Sequence, residues 1–137
     1  MKKILGLFTI ALSLIAVAPA FASTDNTATI ACVGTAVNTR ETAISTAITT
    51  HTQAITAAYT ARATALQQAY TGTTQAQVKA SVKTAWASFR TAKTAANTAW
   101  KKSKDSAWST FKNAARVCKA PASISDALNA SSEVSGQ

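Results

Sequence analysis

Few residues in this chain are equipped for catalysis, and their spacing keeps them apart. His51 is the single histidine, and it shares a helical position with Arg40 and Arg62, eleven residues away on either side. That pattern reads as a solvated or snorkelling basic row rather than a general base or a metal ligand. The carboxylates are Asp25, Glu41, Asp105, Asp126 and Glu133, with no i, i+4 pair to share a metal or divide acid and base roles. There is no glycine-rich phosphate loop, and the many Ser and Thr residues lack a neighbouring base to activate them. The expectation is therefore no enzyme, no metal site, no cofactor and no small-molecule substrate.

Binding is the chemistry that the other side chains support. Lys79, Arg90, Lys101 and Lys112 recur every eleven residues. At about 98° per residue this row lies about 33° from the position shared by Trp86 and Trp108. Lys83 and Arg116 flank it, and Asp105 is the one acidic interruption. Cations about 16.5 Å apart beside aromatic rings suit an anionic polymer, either a cell-envelope polymer or nucleic acid, or a membrane surface. The rings would then be free to stack on exposed bases or sugars. The competing reading makes the Trp and Phe residues a packed interior and the cations its solvated edge.

Whichever reading holds, a repeat positions these rows. From Cys32 the chain divides into blocks of eleven: CVGTAVNTRET, AISTAITTHTQ, AITAAYTARAT and ALQQAYTGTTQ. Ala36, Ala47, Ala58 and Ala69 hold one position; Val33, Ile44, Ile55 and Leu66 hold another. Eleven residues are about three helical turns, so each position forms a nearly straight stripe along one helix. A second register opens on Val78, Phe89, Trp100 and Phe111, and carries Ala85, Ala96, Ala107 and Cys118 at one position. Each cysteine thus occupies an alanine site of its own helix, as a paired interface requires.

Between the registers, Gly72 is placed to end the first helix in a left-handed conformation, and Thr74 with Gln77 fits a capping box for the second. The pattern predicts an all-α fold, a long antiparallel two-helix hairpin with helices over residues 26–71 and 75–118. Beyond Pro121 a Ser- and Ala-rich tail, residues 121–137, is expected to be disordered, or at most to form one short helix from Ser125. A disulfide between Cys32 and Cys118 would staple the open end. Because the apolar 47% is largely Ala and only 7% is aromatic, a lone hairpin buries little area. Self-association into a four-helix bundle, a homo-oligomer, would cover the large side chains left over.

The first 22 residues read as a signal peptide: a Lys2-Lys3 start, an apolar run over residues 4–17 and the small residues of Ala20-Phe21-Ala22. Retention as an anchor is the lesser alternative. Cleavage removes Lys2 and Lys3 from a chain of net charge +9 and leaves +7. The expected setting is secreted, periplasmic or cell-envelope, where disulfides persist. The expected role is a non-catalytic structural or binding protein whose basic helix adheres to anionic polymers. The alternatives are a self-assembling envelope rod and an ice-binding helix.

Two resemblances accompany these readings. Asn38, Thr49, Thr60 and Thr71 recur at eleven residues, and this face resembles the alanine-rich helical antifreeze proteins. That resemblance implies ice contact through Thr49, Thr60 and Thr71 only, and the chain departs from that family in lacking its Ala-Ala-Ala runs. The pairs Ala58-Tyr59, Ala69-Tyr70, Ala85-Trp86, Ala99-Trp100 and Ala107-Trp108, with Cys32 and Cys118, resemble small exported alanine-rich helical proteins of bacteria. That likeness covers most of the mature chain and implies a helical hairpin, with no activity attached.

Overall fold

The computed structural model describes residues 26–126, in which helix α1 (Thr27–Ala69) packs against helix α2 (Gln75–Val117). Each has 43 residues and is therefore roughly 65 Å long. Among the described residues there is no strand. The proposed leader and the chain beyond residue 126 lie outside the described residues.

The turn is built largely as its sequence implies. Thr74 is extended, its Oγ1 accepts from the Gln77 N–H, and Gln77 Oε1 accepts from the Thr74 N–H, each at 3.2 Å. This capping box satisfies two N–H groups that the first turn of α2 would leave open. Gly72 departs from expectation, since no glycine among the described residues has a positive φ. Its role is space: a Cβ there would meet Val78 Cγ2 at 3.3 Å and the Ala69 carbonyl oxygen at 3.4 Å. The turn folds tightly against the start of α2 because that atom is missing.

At the open end, Cys32 and Cys118 are bonded, with Cα atoms 5.8 Å apart across 86 residues of sequence. The register this sets repeats inward, and buried Ala36, Ala47, Ala58 and Ala69 of α1 lie against buried Ala85, Ala96 and Ala107 of α2. The column Ala43 and Ala54, which continues Cys32, stays exposed at the rim. The centre of the α1 interface is thus the stripe beside the cysteine column.

The tail expected to be disordered from residue 121 is structured through residue 126. Lys119 takes a left-handed φ of 53°, its N–H donates to the Arg116 carbonyl, and the Ala120 N–H donates to the Ala115 carbonyl. This pair of bonds reverses the chain at the end of α2, in the motif that glycine usually serves. A 3₁₀ turn at Ala122–Ile124 follows, and Ser125 is buried. A lysine in the left-handed region is strained by about 1 kcal/mol, part of which glycine would return as unfolded-chain entropy. Lys119→Gly should accordingly raise stability by about 0.5 kcal/mol, read as a higher urea midpoint at unchanged slope.

Candidate functional site

The α1 residues read from sequence as a solvated or snorkelling basic row turn toward α2, with Arg40 buried and His51 and Arg62 half-buried. The Arg40 guanidinium carbon sits 4.2 Å from the Trp108 ring centroid and 4.5 Å from that of Phe111. Eleven residues on, His51 Nε2 lies 2.9 Å from Asn97 Oδ1, and its ring centroid is 6.0 Å from that of Trp100. Eleven further, Arg62 lies 4.7 Å from the Trp86 ring and 4.5 Å from the Phe89 ring. Each step of eleven along α1 is matched by a step of eleven back along α2. The hairpin is a ladder of three layers in which a basic side chain of α1 packs on two residues of α2.

Their turn toward α2 has a physical cause. Arg40, His51 and Arg62 fall between the buried alanine stripe and the Val33, Ile44, Ile55, Leu66 stripe, so the geometry of α1 aims them at α2. A flat, weakly hydrated guanidinium stacks on an aromatic face, which makes this position tolerable for Arg.

Arg40 is the most enclosed, only 6% exposed. Its Nε and Nη2 donate to Glu41 Oε1 at 2.8 and 2.6 Å. Its Nη1 forms an ion pair with Asp126 Oδ2 at 2.8 Å. Burial alone would lower the Arg40 pKa, but the contacts and charges of Glu41 and Asp126 outweigh it and hold it above its ordinary value. The stabilisation this provides is complete below that ordinary value and is lost only in strong alkali, above the raised pKa.

The α2 row stands where its spacing implied. Lys79, Arg90, Lys101 and Lys112 are all exposed, and none forms an ion pair among the described residues. The two flanking tryptophans divide. Trp86 is 40% exposed and edges the row. Trp108 is only 5% exposed, beneath Arg40 and against Phe111, so it belongs to the core and has no face free for a ligand. Lys104, which sequence reasoning passed over, is buried with Nζ 5.7 Å from the Trp100 centroid.

The two sides of the hairpin differ in chemistry. One carries the cations with the exposed rings of Tyr59 and Trp86. The other is an open groove of about 970 Å³ toward the disulfide end, edged by Ala43, Ala54, Ala99, Ser103, Ser106 and Thr110. On α1, Thr35, Thr39, Thr42, Thr46, Thr49 and Thr50 each donate their hydroxyl to the carbonyl four residues back. Their donors are already satisfied within the helix.

Among the described residues, no helix is long and apolar enough to cross a membrane, and no three His, Cys, Asp or Glu residues gather as a metal site. The fold and surface define a disulfide-stapled helical hairpin with one cationic side. No protein-family model matches the chain, and neither the curated proteins nor the solved structures include a match.

Proposed function

We propose that this is an exported, non-catalytic binding protein whose α2 face adheres to an anionic polymer of the cell envelope or its surroundings. The observation that carries the reading is the row Lys79, Arg90, Lys101 and Lys112: exposed, regularly spaced and without carboxylate partners. Those ammonium and guanidinium groups keep their hydration and counterions until a polyanion replaces them, which is the ordinary source of salt-dependent affinity. The leader-like first 22 residues and the disulfide support an oxidising destination. Trp108 drops out of the binding surface, and Trp86 remains at its edge.

Replacing all four cations with Gln tests the reading. Helix content should stay constant, because the four side chains point to solvent. Binding to duplex DNA, used as a model polyanion, should weaken at low salt. The slope of log affinity against log salt should become shallower by up to about 3.6, or about 0.9 for each phosphate that is no longer neutralised. A variant that binds like its parent would reduce the row to a solvated edge.

A second reading, self-association into a four-helix bundle, is favoured by the groove, lined mostly by Ala, Ser and Thr with Arg40, His51 and Lys102 as its basic members. Two copies meeting there would keep their Lys79 rows apart, with Lys102 the exposed cation brought to the interface. Sedimentation of the mature chain across a hundredfold concentration range separates the two readings, since adhesion alone requires no change in mass.

A further inference from the structure

The first and third layers of the ladder are the same constellation twice. Arg40, Trp108 and Phe111 correspond to Arg62, Trp86 and Phe89, displaced by twenty-two residues in each helix. Their anionic partners do not correspond. Arg40 has Glu41 on its Nε and Nη2 and Asp126 at its Nη1. Arg62 is followed by Ala63 in place of the glutamate, and the fold-back of residues 119–126 seats at the other end of the hairpin. Arg62 forms no ion pair among the described residues, and its buried Nε has no hydrogen-bond partner.

The surroundings share this imbalance. Between Glu41 and Asp105 the chain contains no acidic residue but eight Lys or Arg. Two of the three rings around Arg62 are open, with Tyr59 46% and Trp86 40% exposed beside a buried Phe89, whereas Trp108 in the paired layer is 5% exposed. A buried guanidinium donor without an acceptor is costly, and a carboxylate is the acceptor its fork geometry fits best.

We propose that the Arg62 layer is a docking site for an acidic peptide segment, which places a carboxylate on Arg62 and apolar atoms against Tyr59 and Trp86. The chain shows the mode of binding in its own Ser125-Asp126, which sits on Arg40 with Ser125 buried. A peptide is favoured over a bare anion because that internal example is a length of main chain with one carboxylate. The site shares Trp86 with the edge of the Lys79 row but rests on Arg62, which lies outside that row, so failure of polymer adhesion would leave it standing.

The test uses the full mature chain and the peptide acetyl-Ala-Pro-Ala-Ser-Ile-Ser-Asp-amide, the chain's own residues 120–126, titrated under nuclear magnetic resonance. The Trp86 indole N–H and Arg62 Nε–H signals should shift and saturate. The peptide with Asn in place of Asp should bind at least about tenfold more weakly. Arg62→Gln should abolish the response. Should that variant fold poorly, Ala63→Glu offers an independent arm on an exposed position. It supplies in cis the partner Arg40 already has, and should weaken peptide binding about tenfold while leaving helix content unchanged. Unmoved signals at millimolar peptide, or equal binding of the Asn peptide, would overturn the proposal. So would an equal response to inorganic phosphate, which would leave no carboxylate preference. Shifts that grow with protein concentration alone would give the site to a second copy's tail and overturn a foreign occupant.

Discussion

Removing the Cys32–Cys118 bond, by reduction or by paired Ala substitution, should cost about 4.5 kcal/mol in the chain-entropy model. The loop it closes spans 86 residues, nearly the whole hairpin. Without it, the open ends of the two helices must be brought together across a long chain, and the interface repaying that closure is mostly alanine. Small domains hold about 5–15 kcal/mol in total, so the loss is a large fraction of what keeps this one folded. The effect should be graded along the ladder. Amides beside Arg40 and Phe111 should lose hydrogen-exchange protection most, whereas the turn, held by its capping box, should retain more of it. Urea unfolding with and without reductant measures the total. A loss below about 1 kcal/mol would show that the reduced chain stays closed by packing alone and that the staple is incidental.

What the sequence revealed, and what it hid, follows from whether a feature repeats. The eleven-residue stripes are visible because alanine, the β-branched residues and the aromatic rings each keep to one position over four blocks. The pairing of the cysteines follows from the same columns. The capping box is local chemistry, legible in Thr74 and Gln77 alone. Arg40, His51 and Arg62 are equally periodic, and their angle places them at the interface, but charge argues for solvent. Resolving that conflict requires knowing that Trp108, Phe111, Trp86 and Phe89 arrive opposite them, which is a property of two helices in register. The fold-back after α2 repeats nothing. It rests on Lys119 adopting a left-handed conformation that its side chain disfavours and on one ion pair to Arg40. Neither has a pattern to announce it. The candidate site divides the same way: the exposed lysine row is legible, and the unanswered guanidinium of Arg62 emerges only by comparison with Arg40.

The ladder also supplies its own control, because one substitution can be made at two positions that the repeat makes equivalent. Trp108→Ala should destabilise the hairpin by about 3–5 kcal/mol, the usual cost of emptying a large aromatic from a packed interior. The indole lies under the Arg40 guanidinium and edge-on to Phe111, which is itself 1% exposed. Its loss opens a cavity and removes the face that makes a buried cation tolerable. Trp86→Ala removes the same atoms beside Arg62 and Phe89, but much of that ring already faces water, and the cost should fall to about 1–2 kcal/mol. Two contributions make up the difference: the packing of the fold-back, and the pairing of Arg40 with Glu41 and Asp126. Asp126→Ala separates them. If the tail's ion pair helps to seal the first layer, this variant should lose about 1–2 kcal/mol and bring Trp108 indole fluorescence toward that of a solvated ring. Equal losses at Trp108 and Trp86 would mean that the fold-back adds nothing to the layer it covers, and that the two ends of the ladder are packed alike.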